Sequence, residues 1–203
     1  MDERKDKVGK FIYKKLSQIT ALSDQGEGKE MLSLLRKGVG HVPGDDPKLL
    51  GVILIDMPEE FFSKGTEPTK EEWACYIALT LYAMHQQGNS PKLNSMNSGN
   101  KISLGKAMAE YALLSGDSNA QQRMAVMLQA LATSKDMKEF SYHLKTVIQL
   151  LKTKGIALNY PRLAEDIYDY QFEDRKSGIF LKWGQDFFNT NGEKNKESSK
   201  KGE

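Results

Sequence analysis

Three histidines, one cysteine and two close pairs of aspartates are the residues of this 203-residue chain best suited to chemistry. Catalysis or metal binding needs such groups to converge. His41, His85 and His143 stand far apart, with no HxxxH or HExxH spacing to place two imidazoles on one helical face around a metal. Cys75 falls inside the apolar run EEWACYIALTLYAMH, where a thiol is expected to be buried and inert. Asp45-Asp46 and Asp166/Asp169 have no partner base, and solvated loop or helix-start positions account for them. Gly38 and Gly40 make a lone GxG without the lysine or third glycine of a phosphate-binding loop. The expectation is a non-enzyme with no metal and no cofactor. A helical-bundle enzyme built from Tyr, Asp and His stays open as a rival, recognisable by titratable groups meeting in one pocket.

The lysines are better ordered. Lys138, Lys145 and Lys152 fall seven apart, beside the apolar positions Met137, Phe140, Leu144, Val147, Ile148 and Leu151. Steps of three and four mark one buried helical stripe, so the three lysines form a basic ridge along its edge. The charge of the chain, 29 basic against 27 acidic residues, hides a segregation. Residues 1–15 are net +3, 44–72 net −5, 101–162 net +5 and 163–190 net −3. A positive patch attracts phosphate while the rest of the surface stays neutral or repulsive. Mixed charge on solvated helices is the plainer account of the same numbers.

Helices must position these groups. An opening helix carries Val8, Phe11, Ile12, Leu16 and Ile19; the run 71–85 is apolar on more than one face and reads as the central helix. Glu71 and Glu72 suit its positive end and Gly88 its exit. Ser103 is a natural N-cap for LGKAMAEYALL, with Lys101 and Lys106 near its start, and Asp117 or Ser118 can cap the helix holding Met124, Met127, Leu128 and Leu131. Tyr160-Pro161 reads as another start, and a last helix runs from about Asp174 to Asn189. GVILID (51–56) has no strand to pair with and is expected as a turn of helix or an extended loop. Trp73, Trp183 and the phenylalanines fall on core stripes, so no base-stacking platform is expected and binding should be mostly electrostatic. The fold class is all-α, a helical bundle.

The polar run QQGNSPKLNSMNSGNK (86–101) is a candidate boundary between an N-terminal bundle (1–99, linker included) and a C-terminal bundle (100–190) packed together. Residues 191–203 carry no large apolar side chain and are expected to be disordered. One cysteine excludes an internal disulfide, and the mean hydropathy of −0.56 together with the lack of a long apolar run excludes a membrane span. No apolar signal core follows the charged start, which points to a cytoplasmic protein.

Specific runs then become familiar. ISLGKAMAEYALLSG (102–116) with NAQQRMAVMLQAL (119–131) resembles the central signature of the CasB family, the small subunit of the type I-E CRISPR surveillance complex, Cascade. LLRKGVG (34–40), the helix 71–85, the segment 140–170 and WGQDFF (183–188) agree in order, so the resemblance spans roughly 7–190. It implies an all-helical, non-catalytic subunit present in two copies beside other Cascade subunits on the guide RNA–target DNA assembly. There it would steady the opened DNA, chiefly the displaced strand, while guide pairing reads sequence. No membrane and no small-molecule substrate enter.

The carry-over of residues is partial. Arg36-Lys37 keeps both charges of the family's early element, and Lys106 matches the basic residue after its SLG turn. Gln122-Arg123 and Lys145-Thr146 stand where the family often has Arg-Arg, so two charges are lost. Lys138 and Lys152 lie on the same ridge and compensate. The expected phosphate contacts are Arg36, Lys37, Lys106, Arg123, Lys145, Lys152 and Arg162. The acidic 44–72 segment is expected to dock on a basic face of a neighbour. The alternative is a helical protein–protein scaffold with no nucleic-acid contact, which predicts no salt-dependent oligonucleotide binding.

Overall fold

A computed structural model of the chain describes residues 2–22, 26–89, 97, 102–117 and 119–200, the side chains of 191–200 excepted. Its helices are α1 (Glu3–Ala21), α2 (Glu27–Lys37), α3 (Pro47–Leu54), α4 (Lys70–Gln86), α5 (Leu104–Leu114), α6 (Ala120–Ala132), α7 (Met137–Thr153), α8 (Tyr160–Tyr170) and α9 (Glu173–Lys200). Among the described residues there is no strand, only an isolated bridge between Asn97 and Leu158. The fold is all-α, as the periodicity requires.

Caps set the helix starts. Thr69 and Glu72 form a reciprocal capping box on α4: Glu72 N donates to Thr69 Oγ1 (3.0 Å) and Thr69 N to Glu72 Oε2 (2.7 Å). Ser103 caps α5 and Asn159 caps α8, with Pro161 in its first turn. α6 departs from expectation. Its N-cap is Asn119 with no side-chain bond, because the Asp117 carboxylate accepts from Asn119 N (2.8 Å) one step too early; Ser118 lies outside the described residues. GVILID divides: α3 ends at Leu54 and Ile55 is extended, its carbonyl taken by the buried ammonium of Lys15 (2.6 Å).

α4 is buried almost throughout and forms the axis of the molecule. α8 packs against both α1 and α4, α7 against α4, and α9 against α5. One hydrophobic cluster therefore runs from Val8 to Phe187, and a division at 99 is one of chain order within a shared core. Of the 86–101 linker, 90–96 and 98–101 lie outside the described residues. Asn97 returns to the bundle, its Oδ1 accepting from Tyr160 N (3.0 Å). The backbone of α9 continues to Lys200, past the boundary at 190, since a nucleated helix propagates cheaply through residues such as Glu and Lys. Residues 201–203 lie outside the described residues.

Two aromatic assignments are corrected. Phe188 and Phe62 are exposed, not on core stripes, because α9 turns only Trp183 and Phe187 inward at its aromatic end and Phe62 follows the short 3-10 turn Glu59–Phe61, which buries Phe61.

Candidate nucleic-acid interface

α7 begins where Asp136 accepts from Glu139 N (2.8 Å) and Glu139 Oε2 accepts in return from Lys135 N (2.7 Å). That exchange occupies the first-turn carboxylate. Phe140, Leu144, Val147, Ile148 and Leu151 bury one face, which fixes the opposite edge outward. Lys138 is exposed there, Lys145 and Lys152 half-buried. A rise of about 1.5 Å per residue separates neighbours by about 10.5 Å along the axis. Among the described residues none of the three is paired with a carboxylate.

At its C-terminal end the ridge meets a groove that the sequence did not foreshadow. Lys29, Leu32 and Arg36 of α2 face Gln86, Gln87, Gly88 and Asn89 at the end of α4, with no carboxylate in the lining. Lys152 Nζ donates to Gln87 Oε1 (3.2 Å), which brings it to the same place. Burial and the nearby Arg36 guanidinium both push the Lys152 pKa down. The C-termini of α4 and α7 supply about half a negative charge each, less than the three cations Lys29, Arg36 and Lys152 bring. The groove is net positive, and an anion would relieve that crowding.

The other candidates are distributed differently. Lys37, in the last turn of α2, is exposed beyond Arg36, and Lys106 is exposed on the first turn of α5. Arg162 lies 3.5 Å from Asp186, which also accepts the Ser103 hydroxyl and so ties α8, α5 and α9 together. Arg123 lies 2.5 Å from Asp117. Arg36 and Lys152 thus come together, Lys145 extends the ridge, and the two arginines are already held by carboxylates. Lys29 escaped sequence reasoning because it belongs to no lysine period; only the antiparallel seating of α2 on α4 brings it in.

Most of the groups with catalytic potential are engaged in structural contacts. Asp46 caps α3 and Asp45 accepts from Val42 N (3.0 Å). Buried Asp166 accepts from Trp183 Nε1 (2.8 Å) and Lys182 Nζ (3.2 Å), while Asp169 binds Lys5 and Arg175. Burial holds the Cys75 thiol far above its usual range. His85 Nδ1 meets the Tyr160 hydroxyl at 2.8 Å in the core, and burial together with Lys152 pushes its pKa down to about 4. Among the described residues no three His, Cys, Asp or Glu side chains are grouped to hold a metal. No described helix is long and apolar enough to cross a membrane.

The family model for CRISPR-associated protein Cse2 matches residues 31–188, most of the chain and every helix from α3 to α8. This chain belongs to the Cse2 family. The structure of CasB from Thermobifida fusca superposes with a TM-score of 0.72 at 24% identity, covering 89% of this chain and 97% of that one. CasB from M. ruber gives a TM-score of 0.61 at 20% identity, covering 83% and 89%. Those two likenesses speak to the fold. A search of curated proteins finds no match. Membership of the Cse2 family makes the chain a Cascade subunit of CRISPR defence, from a family of structural, generally non-catalytic subunits.

Proposed function

We propose that this Cse2-family subunit holds the sugar-phosphate backbone of opened target DNA, chiefly the displaced strand, without reading sequence and without chemistry of its own. The observation that supports the reading is the run of cations that, among the described residues, have no carboxylate partner along α7 and into the α2–α4 groove: Lys138, Lys145, Lys152, Arg36 and Lys29. Lys37 and Lys106 add exposed charge, and Arg123 and Arg162 contribute once released from Asp117 and Asp186. Guide pairing supplies sequence recognition in such complexes, so the protein needs backbone affinity alone. The remaining surfaces serve neighbouring Cascade subunits, including a second copy, and the acidic 44–72 segment fits a basic face on one of them. The assembly works in the cytoplasm, where the guide RNA is held.

The test is fluorescence anisotropy of labelled single-stranded DNA over a series of salt concentrations. It is run on the complete chain and on the chain reconstituted into its complex, beside a Lys145→Glu/Lys152→Glu variant. Affinity should fall steeply with salt, with a slope near −0.7 per neutralised phosphate, and the variant should lose most of it. Salt-independent or absent binding in both settings overturns the reading and leaves a pure scaffold.

A further inference from the structure

Tyr142 stands on α7 with no role in the core. Its side chain is 64% exposed. Thr146 Oγ1 donates to its backbone carbonyl (3.2 Å), and among the described residues its ring is in edge contact only with the adjacent His143, at 5.6 Å between centroids. At 100° per residue, Lys138, Tyr142, Lys145, Gln149 and Lys152 lie within about 80° of one another, on a single stripe. All five are exposed or half-exposed, and Glu139, the nearest acid on the helix, is turned to Lys135 N and His143. The ridge is therefore not lysine alone. It carries an open aromatic ring four residues after one lysine and three before the next.

We propose that Tyr142 is a stacking platform for an unpaired base of the strand whose phosphates Lys138 and Lys145 hold. The inference rests on the nucleic-acid reading above and narrows its ligand. A duplex keeps its base faces stacked on one another, whereas a single strand presents them; a flat ring between two cations matches the alternation of base and phosphate in a single strand. Stacking of this kind tolerates any base, which suits a surface that reads no sequence. It also adds an attraction that salt does not screen, so binding on this stripe is not purely electrostatic.

The experiment compares the wild-type chain with Tyr142→Ala, Tyr142→Phe and Lys145→Gln, alone and in the reconstituted complex. The probes are a labelled oligothymidylate and an abasic strand of equal length. Tyr142→Ala should weaken oligothymidylate binding about tenfold with an unchanged salt slope, and leave the abasic strand unaffected. Tyr142→Phe should bind as wild type, and Lys145→Gln should lower the slope on both probes. Equal oligothymidylate affinity for Tyr142→Ala and wild type, or an equal loss on the abasic strand, overturns the platform while leaving backbone binding intact. Failure of every form to bind either strand overturns the nucleic-acid reading itself. An unchanged melting temperature, expected for so exposed a side chain, confirms that the variants are folded.

Discussion

A Cβ on Gly105 would stand 2.1 Å from the carbonyl oxygen of Trp183. The glycine is what lets the first turn of α5 lie directly on the backbone of α9, and α5 and α9 form one of the most extensive helix pairs in the molecule. Ser103, two residues earlier, adds its hydroxyl to Asp186 of α9. The SLG turn of this chain is thus a docking point between helices.

Gly105→Ala is expected to destabilise the protein by about 3 kcal/mol, since the obstacle is backbone and cannot swing aside. Gly178→Ala is the control. It lies in α9 with nothing within 4 Å of the added methyl, and should stabilise by about 0.5–1 kcal/mol. Urea denaturation of both variants checks the contrast. A Gly105→Ala protein as stable as wild type would refute the close approach.

Asp166 fastens α9 to α8 through Trp183 and Lys182. Asp166→Ala leaves a buried indole N–H unpaired and should cost about 3 kcal/mol. Asp166→Asn keeps an acceptor for the indole and should cost less. Denaturant midpoints rank the two, and tryptophan fluorescence reports the packing around Trp183.

His85 gives the fold a pH dependence whose sign is fixed by its depressed pKa. The unfolded imidazole binds a proton near 6.5, the folded one only near 4. Between those values the unfolded state holds more protons, so stability falls as pH drops through the window and is fully present above it. Lowering pH from 7 to 5 should remove about 2 kcal/mol through this residue. His85→Gln should lose that increment of pH dependence, measured as the difference between urea melts at the two values.

Arg123 and Lys145 should behave unequally although both are among the expected phosphate contacts. Arg123 is held at 2.5 Å by Asp117, and both are roughly half-exposed, so the pair adds under about 1 kcal/mol to stability. An anion must displace that carboxylate before it gains the guanidinium. Lys145→Gln should reduce the salt slope of single-strand binding by about 0.7, and Arg123→Gln by less. Equal losses would show that Asp117 yields without cost.

Much of this was legible along the chain because helices are local. The 3.6-residue period placed Phe140, Leu144 and Leu151 inward and Lys145 outward, and Ser103 and Tyr160-Pro161 mark real helix starts, since both effects act within a turn or two. The unbroken apolar run of α4 required a helix surrounded on all sides. Lys138, Lys145 and Lys152 form a ridge for the same reason, their spacing alone. What no local rule contains is which helices meet. Lys29 and Arg36 join Lys152 only because α2 lies antiparallel on α4 and α7 ends beside them. Arg123 and Arg162 were basic residues like the rest until folding set Asp117 and Asp186 against them. The ring of Tyr142 had the right spacing for the ridge, yet its exposure depends on no other helix covering that face. Sequence by itself determined most of the helices, their buried faces and the lysine period, but not α2 or the extent of α3. The tertiary structure decided which charges are neutralised, which are crowded together and which aromatic rings are left open, because those depend on contacts between residues distant in the chain.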